Sequence, residues 1–474
     1  MRRLSKFYRE NVSYLDKTLR TDESFDLLKK IMKIGNDELT LYYIDGFVKD
    51  TVMGKLMTHF VSLKTIGTPS PDCADEFLKT NLPYVEAEVC EDLDTMIGMV
   101  LSGATLMIGS SFEDKALLID SRSYPARGTD EPENDRVMRG SRDGFVETLI
   151  SNTALIRRRI RDTSLTMSYV SIGKSSRTDV VICYMNGKAD AKYVDFIKEK
   201  LKSIKTGALS LGHQSLAECL IPHGWFNPFP KIRNTERPDV ASAQSLEGSI
   251  ILLCDNSPEA MILPTSIFDF MQETNDFYFP PLTGSYLRLV RHIVFWSTLF
   301  LIPVWYLFIK NPAIVPDWLL FVLPTSQAKI PIIAQLLLVE FILDGLKLAS
   351  MNTPSMLSNS LSIVGGLILG DFAVGIGWLI PEVILYMAYV SIATFTQTSY
   401  ELGYAFKFLR IIILVLTAVF NFYGFAAGII LAIILIATNK TVNGKRAYLY
   451  PLIPFNGKAL LRLYIRFKKS SDKS

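Results

Sequence analysis

The chain has 474 residues, with 50 Lys and Arg against 47 Asp and Glu, for a formal net charge of +3. That length accommodates two to four domains, and the near-neutral balance gives no basis for a nucleic-acid partner. The mean hydropathy of +0.24 hides a split: residues 1–288 carry charges every few positions, whereas residues 293–438 are mostly apolar runs.

The N-terminal stretch MRRLSKFYRENVSYLDKTLR is polar and lacks the apolar core of a secretory signal. A helical segment is expected over residues 1–37, ahead of a domain that stays in the cytosol. Residues 39–60 alternate, turn at Asp45-Gly46 and then take a helical period. Residues 180–204 do the same around Asn186-Gly187, with Tyr43 matching Tyr184 and Gly46 matching Gly187. The strand–turn–strand pattern of 103–119 recurs at 248–263, pairing Gly103 with Gly248 and Ala116 with Ala260. Two matches in one order at nearly one spacing predict two related α/β lobes. Residues 38–179 are assigned to the first lobe and 180–286 to the second.

Between the matched stretches, residues 121–162 open as a loop and become a helix from about Gly144, placed as an insert in the first lobe. That helix ends in Arg157, Arg158, Arg159 and Arg161, where cations complement the helix dipole. Two readings are open: a solvated, salt-bridged helix, or contact with acidic lipid headgroups or a neighbouring subunit.

The five cysteines are scattered and form no CxxC pair, so neither a disulfide framework nor a zinc site is indicated. His213 and His223 flank Cys219 at a spacing that matches no metal motif. There is no GxSxG, HExxH or GxxxxGK[ST], so an enzyme is not expected, nor a cofactor or resident metal.

From Arg291 onward the chain reads as a membrane domain, residues 287–438. Residues 293–309 are long enough, at about 26 Å, to span a thin bilayer. Residues 361–380 form a second span with a GxxxG at Gly366 and Gly370, a candidate packing face. Residues 411–438 are too long for one span, and Asn421 and Gly424 predict either two short segments or one bent helix. Glu340, Asp344 and Lys347 recur at four and three residues in an otherwise apolar helix over 330–350, and so share one face. An acid at the bilayer centre costs roughly 2.5–3.5 kcal/mol on insertion scales. Glu340, Asp344 and Asp371 are therefore candidate pore or ion-path residues, against the alternatives that Asp344 pairs with Lys347 and that Asp371 lies nearer an interface. Basic residues precede the first span and fill the tail, 439–474, so both termini are expected on the cytosolic side. Four crossings are expected, with six as the alternative. The fold class is thus an α/β cytosolic domain of two related lobes followed by an α-helical polytopic membrane domain.

Four phrases, YIDGFVKD (43–50), EPENDRVMRGSRDGFVETLISNTALIRRRI (131–160), IVGGLILG (363–370) and SYELGYAFKFLR (399–410), resemble the A-subunit family of bacterial spore germinant receptors. The stretches FNPFPKIRNTERPD (226–239) and YLYPLIPFNGKAL (448–460) resemble one accessory branch of that family, tied to stage V of sporulation. The chain departs from the family at Thr398, where receptor A subunits tend to carry proline. The resemblance implies a multi-pass protein of the spore inner membrane acting in germination. It further implies a homo-oligomer, a pentamer, that conducts ions and works with other membrane germination proteins. The competing expectation is a scaffold or sensor subunit that recruits a separate channel.

Overall fold

The computed structural model describes residues 3–124, 140–221, 227–273, 275–325, 328–352, 372–397, 399–443 and 448–466. The chain divides into two compact units, Met1–Pro222 with Ile232–Pro264, and His223–Lys231 with Thr265–Ser474.

The first unit repeats one motif twice. The first copy runs α1 (Tyr8–Leu19), β1 (Leu27–Ile34), β2 (Asp37–Ile44), α2 (Asp50–Ser62), α3 (Cys73–Thr80), β3 (Ala87–Cys90), α4 (Leu93–Leu101), β4 (Thr105–Gly109) and β5 (Ala116–Ile119). The second runs α5 (Leu149–Arg159), β6 (Leu165–Ile172), β7 (Thr178–Met185), α6 (Ala191–Ser203), α7 (His213–Leu220), β8 (Arg233–Thr235), α8 (Pro238–Leu246), β9 (Ile250–Cys254) and β10 (Ala260–Leu263). The sheet orders are β1-β2-β4-β5-β3 and β6-β7-β9-β10-β8, so the two copies share one topology. Every strand pair is antiparallel.

The glycines that revealed the repeat hold equivalent conformations. Gly46 and Gly187 sit at φ 78° and 81°, and Gly103 and Gly248 both at 101°. A side chain at these angles meets its own carbonyl, which is why glycine recurs there. The match also extends to helices that carry no glycine. Asn11 in α1 and Asn152 in α5 are both buried. Asn11 accepts from the Ser5 amide at 2.7 Å and donates to the Ser5 carbonyl at 2.6 Å. Asn152 does the same with Val146, at 2.8 and 2.5 Å. Each asparagine thus supplies the hydrogen bonds that an isolated buried backbone segment lacks. Leu15 and Leu19 bury against β2 and α4, and Ile156 and Ile160 take the matching places in the second core.

These elements shift the expected boundaries. β1 lies within the stretch assigned as helical, because LLKKIMKI places its buried and exposed positions as a half-covered strand. The helix after Gly144 is the first element of the second copy, and β6 belongs to the second sheet. The second lobe accordingly begins near residue 145, and residues from Thr265 group with the helical unit.

Nor do the arginines of α5 form one outward basic patch. Arg157 is wholly buried and its guanidinium is fully engaged. Nε donates to Asp26 Oδ2 at 2.7 Å and Nη2 to Asp26 Oδ1 at 3.0 Å. Further bonds reach Ser24 Oγ and the carbonyls of Asp162 and Leu165. The Phe25 amide meanwhile donates to the Met167 carbonyl at 3.1 Å, joining the entry of β1 to β6. A guanidinium in an apolar interior needs this degree of satisfaction. Arg159 pairs with Asp143, and Arg158 lies over the Tyr124 ring at 4.7 Å. Arg158 and Arg161 are both exposed, and neither pairs with a carboxylate among the described residues. All five cysteines are free, and burial pushes the Cys183 thiol up.

The second unit is helical: α9 (Asn275–Tyr278), α10 (Pro281–Lys310), α11 (Ile332–Asn352), α12 (Ala373–Gly375), α13 (Pro381–Phe395), α14 (Tyr400–Thr438) and α15 (Gly457–Tyr464). Among the described residues, α10 and α14 are long and apolar enough to cross a membrane. α14 breaks at Asn421, whose φ of 54° and ψ of −131° leave the helical region. Its halves then fold back on each other. A Cβ on Gly424 would lie 1.9 Å from the Leu416 carbonyl, and one on Gly428 would lie 2.9 Å from Ile413 Cγ1. The small residues Gly424, Gly428 and Ala432 recur every fourth position and permit this contact. Of the two alternatives for residues 411–438, the structure adopts two segments. The halves 400–420 and 422–438 are about 31 and 25 Å long at 1.5 Å per residue.

α10 runs parallel to the first half of α14. Phe295 packs on Phe406 with ring centroids 4.2 Å apart, and Lys310 Nζ donates to the Ala418 carbonyl at 2.5 Å. α13 runs opposite to α10, with Tyr389 against Ser297 and Tyr386 against Trp305. The segment after α14 returns to the base of α10. Arg288 Nη1 donates to the Arg462 carbonyl at 2.7 Å, and His292 stacks near Tyr464 at 4.7 Å. Within the stretch expected as a basic tail, Tyr448 and Leu463 are thus buried in the core of the helical unit, while residues 452–458 are exposed.

Two measurements test this account. Arg157→Met strands a buried carboxylate and should cost about 3–5 kcal/mol, whereas Asp26→Leu with Arg157→Met should recover most of that loss. Hydrogen exchange at the β6 amides of the intact chain reads both. In the helical unit, Gly424→Ala should lower the thermal midpoint in detergent, because the Leu416 carbonyl is backbone and cannot yield. Gly345→Ala, with nothing within 4 Å of the new methyl, should not.

Candidate functional site

Four of the helices in the second unit enclose a group of charges. Glu340, Asp344 and Lys347 project from one face of α11, as their spacing requires. Lys407 and Arg410 face them from the first half of α14. The surroundings are apolar: Leu336 and Val339 on α11, with Val383 and Val390 on α13, are buried in the adjoining core. Charges in such a setting persist only when paired and hydrogen-bonded.

The pairing runs across the helices. Arg410 Nη2 donates to Glu340 Oε1 in a short contact, and Nη1 donates to the Thr298 carbonyl of α10 at 2.7 Å. Lys407 Nζ contacts Asp344 Oδ2 directly and lies 3.9 Å from Glu340 Oε1. Lys347 does not pair with Asp344. Its ammonium sits over the rings of Phe395 and Tyr404, at 5.1 and 5.7 Å, where the ring quadrupoles attract a cation. Asp344 Oδ1 is buried with no hydrogen-bond partner among the described residues. Two carboxylates thus meet three cations, a net charge of +1 for the cluster.

A cavity of about 30 Å³ adjoins these side chains and is also lined by Thr394, Tyr400 and Gly403. That is room for one water molecule or a small desolvated ion. The cluster lies at the level of Thr298, seven residues beyond Arg291 on α10, or about 10 Å along the helix. No cluster of His, Cys, Asp and Glu suited to a metal occurs among the described residues.

Of the residues singled out in the sequence, Glu340 and Asp344 are brought together here. Asp371, Gly366 and Gly370 lie outside the described residues. Arg157, Arg158, Arg159 and Arg161 belong to the first unit and take no part. Sequence reasoning missed Lys407 and Arg410, the counter-charges. Their signal is two cations three residues apart in the otherwise apolar stretch YAFKFLRIIILVL, which puts both on one helical face. The helix start above them is capped by Ser399, whose side chain accepts from the Leu402 amide at 3.3 Å.

Comparison with known proteins places the chain. The family model described as Bacillus/Clostridium GerA spore germination protein matches residues 13–474. The chain is similar to stage V sporulation protein AF of Bacillus subtilis (strain 168), 36% identical over 98% of this chain and 93% of that one. It is similar to spore germination protein A1 of the same organism, 28% identical over 88% and 85% of the two chains. Spore germination protein KA, also of that organism, is 27% identical over 92% and 80%. Among solved structures, the N-terminal domain of the A subunit of the Bacillus megaterium spore germinant receptor GerK3 matches with a TM-score of 0.40 and 22% identity. That match covers 55% of this chain and 96% of the other. The chain belongs to the GerA family of spore germination proteins.

Proposed function

We propose that the chain is a multi-pass subunit of the spore inner membrane whose copies assemble into a ring, a pentamer, that conducts ions during germination. The observation that carries this reading is the buried charge cluster in otherwise apolar helices. Ionisable groups at that depth are costly and mark ion or proton paths. Asp344 Oδ1 offers an unsatisfied oxygen beside a cavity of ionic size. In the closed arrangement Arg410 and Lys407 neutralise the acids within one subunit. Conduction then requires those pairs to separate, so the cluster acts as gate as well as lining. Separating a buried pair is worth about 3–5 kcal/mol, which a stimulus must supply. The return of residues 448–466 to the base of α10 supports placing both ends of the helical unit on one face of the membrane, the spore-core side.

A second reading is favoured by the pairing of both acids within one subunit: the cluster is structural, and the chain is a scaffold or sensor subunit that works with other membrane germination proteins and a separate channel. Potassium flux through liposomes holding the purified protein alone separates the two. Flux supports the channel, and its absence with correctly folded protein supports the scaffold.

In spores, Glu340→Ala with Asp344→Ala leaves Lys407 and Arg410 unpaired and should lower protein level and slow potassium release; normal release per copy of protein would reject the ion-path assignment. Arg410→Gln alone should leave Glu340 buried and unpaired, giving leaky or unstable protein. Adding Glu340→Gln should restore stability without restoring flux.

A further inference from the structure

The two repeats of the first unit pack head to tail, and each leaves its other surface open. Around Gly46 the first repeat is covered by α5 of the second: a Cβ there would lie 3.1 Å from Ile150 Cγ2 and 3.2 Å from the Ala154 methyl. Gly187 occupies the same place in the second repeat, with nearly the same φ, and no atom of the described residues lies within 4 Å of a Cβ placed there. Asn186, Gly187 and Lys188 are all exposed. One end of the stack therefore presents an uncovered turn.

The opposite end presents the complementary surface. The asparagine clamps align α1 with α5 residue for residue, so Arg9, Ser13 and Asp16 stand where Ile150, Ala154 and Arg157 stand. Those three α1 residues line a groove of about 530 Å³, together with Val12, Ile31 and Glu38. The groove is thus the unoccupied counterpart of the surface that joins the repeats. Its contents also differ from that joint in one respect. Asp16 replaces Arg157 and is already held by Lys29 and by the Tyr42 hydroxyl within its own repeat. The residue equivalent to Asp26 is Ser164, so no buried ion pair forms across such a contact.

We infer that the exposed Asn186-Gly187 turn of one copy seats in the α1 groove of a second copy, repeating between chains the packing that joins the two repeats within a chain. The occupant is a second copy because the groove is continuous in kind with a joint already formed by this fold. The groove's charges are mixed, with Asp16, Asp22, Glu23 and Glu38 beside Arg9, Lys17 and Arg20, and Asp22 and Glu38 offer Lys188 a partner beside the turn. Such a contact is heterologous and propagates into a ring if the rotation closes. It lacks the Arg157–Asp26 pair, so it is weaker than the internal joint and suits reversible assembly. The inference deepens the ring assembly proposed above and rests on it.

The test uses the full chain in membranes, with Cys90 and Cys219 replaced by Ser. Gly46 and Ala154 approach within disulfide range in the internal joint, so Ser13, which matches Ala154, should come near Asn186, the neighbour of the Gly46 match Gly187, whose own φ of 81° disfavours a cysteine. Ser13→Cys with Asn186→Cys should give a ladder of cross-linked species under mild oxidation, while either single variant gives none. Pairing Asn186→Cys with Val85→Cys, a fully exposed site away from the groove, should also give none. Lys188→Glu should reduce the ladder at least severalfold. Light scattering of the same protein in detergent reports the oligomer separately. An oligomer without the Ser13–Asn186 cross-link overturns this interface and leaves the ring standing. A monomer overturns both.

Discussion

A guanidinium shut away from water must have its donors met by the protein, and Arg157 is such a group. Its bonds to Asp26, Ser24 and the carbonyls of Asp162 and Leu165 draw the entry of the first sheet onto the first helix and strand of the second. Two copies of one motif become a single body through that contact. The same rule governs the helical unit, where Arg410 must satisfy Glu340 and, through Thr298, ties α11 and α14 to α10. In both units one arginine sets which elements can be neighbours. The remainder of the packing is apolar and tolerant by comparison.

The two arginines differ in what their loss would leave. Around Arg157 the partners sit at the entries of β1 and β6, where two sheets fix them, so the pair is a fastening. Around Arg410 the neighbours are helices joined by loops, and a cavity and an unsatisfied Asp344 oxygen lie alongside. Helices held apart by paired charges have two arrangements, paired and separated. Sheets locked by a satisfied guanidinium have one. This contrast is why the helical cluster, and not the equally buried pair in the first unit, is the candidate gate.

Much of the fold was legible because glycine is costly to replace at positive φ. The pairs Gly46/Gly187 and Gly103/Gly248 exposed the duplication through the sequence alone. The helices that open each repeat were not legible, since they share only their buried faces: Asn11 with Asn152, Leu15 with Ile156, Leu19 with Ile160. Position 16 is Asp in the first helix and its match, position 157, is Arg in the second, with Arg158 and Arg159 beside it, so α5 read as a basic insert. In the membrane half, the acids of α11 stood out against an apolar background. Lys407 and Arg410 did not, because cations near a helix start are commonplace and their partners lie about 65 residues away in sequence. The break of α14 at Asn421 was visible, but which of two outcomes it produced depended on Gly428 reaching Ile413, a contact that no local pattern encodes.

The base of α10 has a consequence for the order in which the protein is completed. Arg288 and His292 precede the first apolar run, yet Arg288 meets Arg462, 174 residues later in the chain, and His292 meets Tyr464. The side chains at that boundary therefore wait through the synthesis of every intervening helix before their contacts exist. A chain truncated after α14 would keep all these apolar helices and still lack the segment that closes the bundle at its entry. Closure of the helical unit therefore waits on residues 448–466, in whatever order the apolar helices come together.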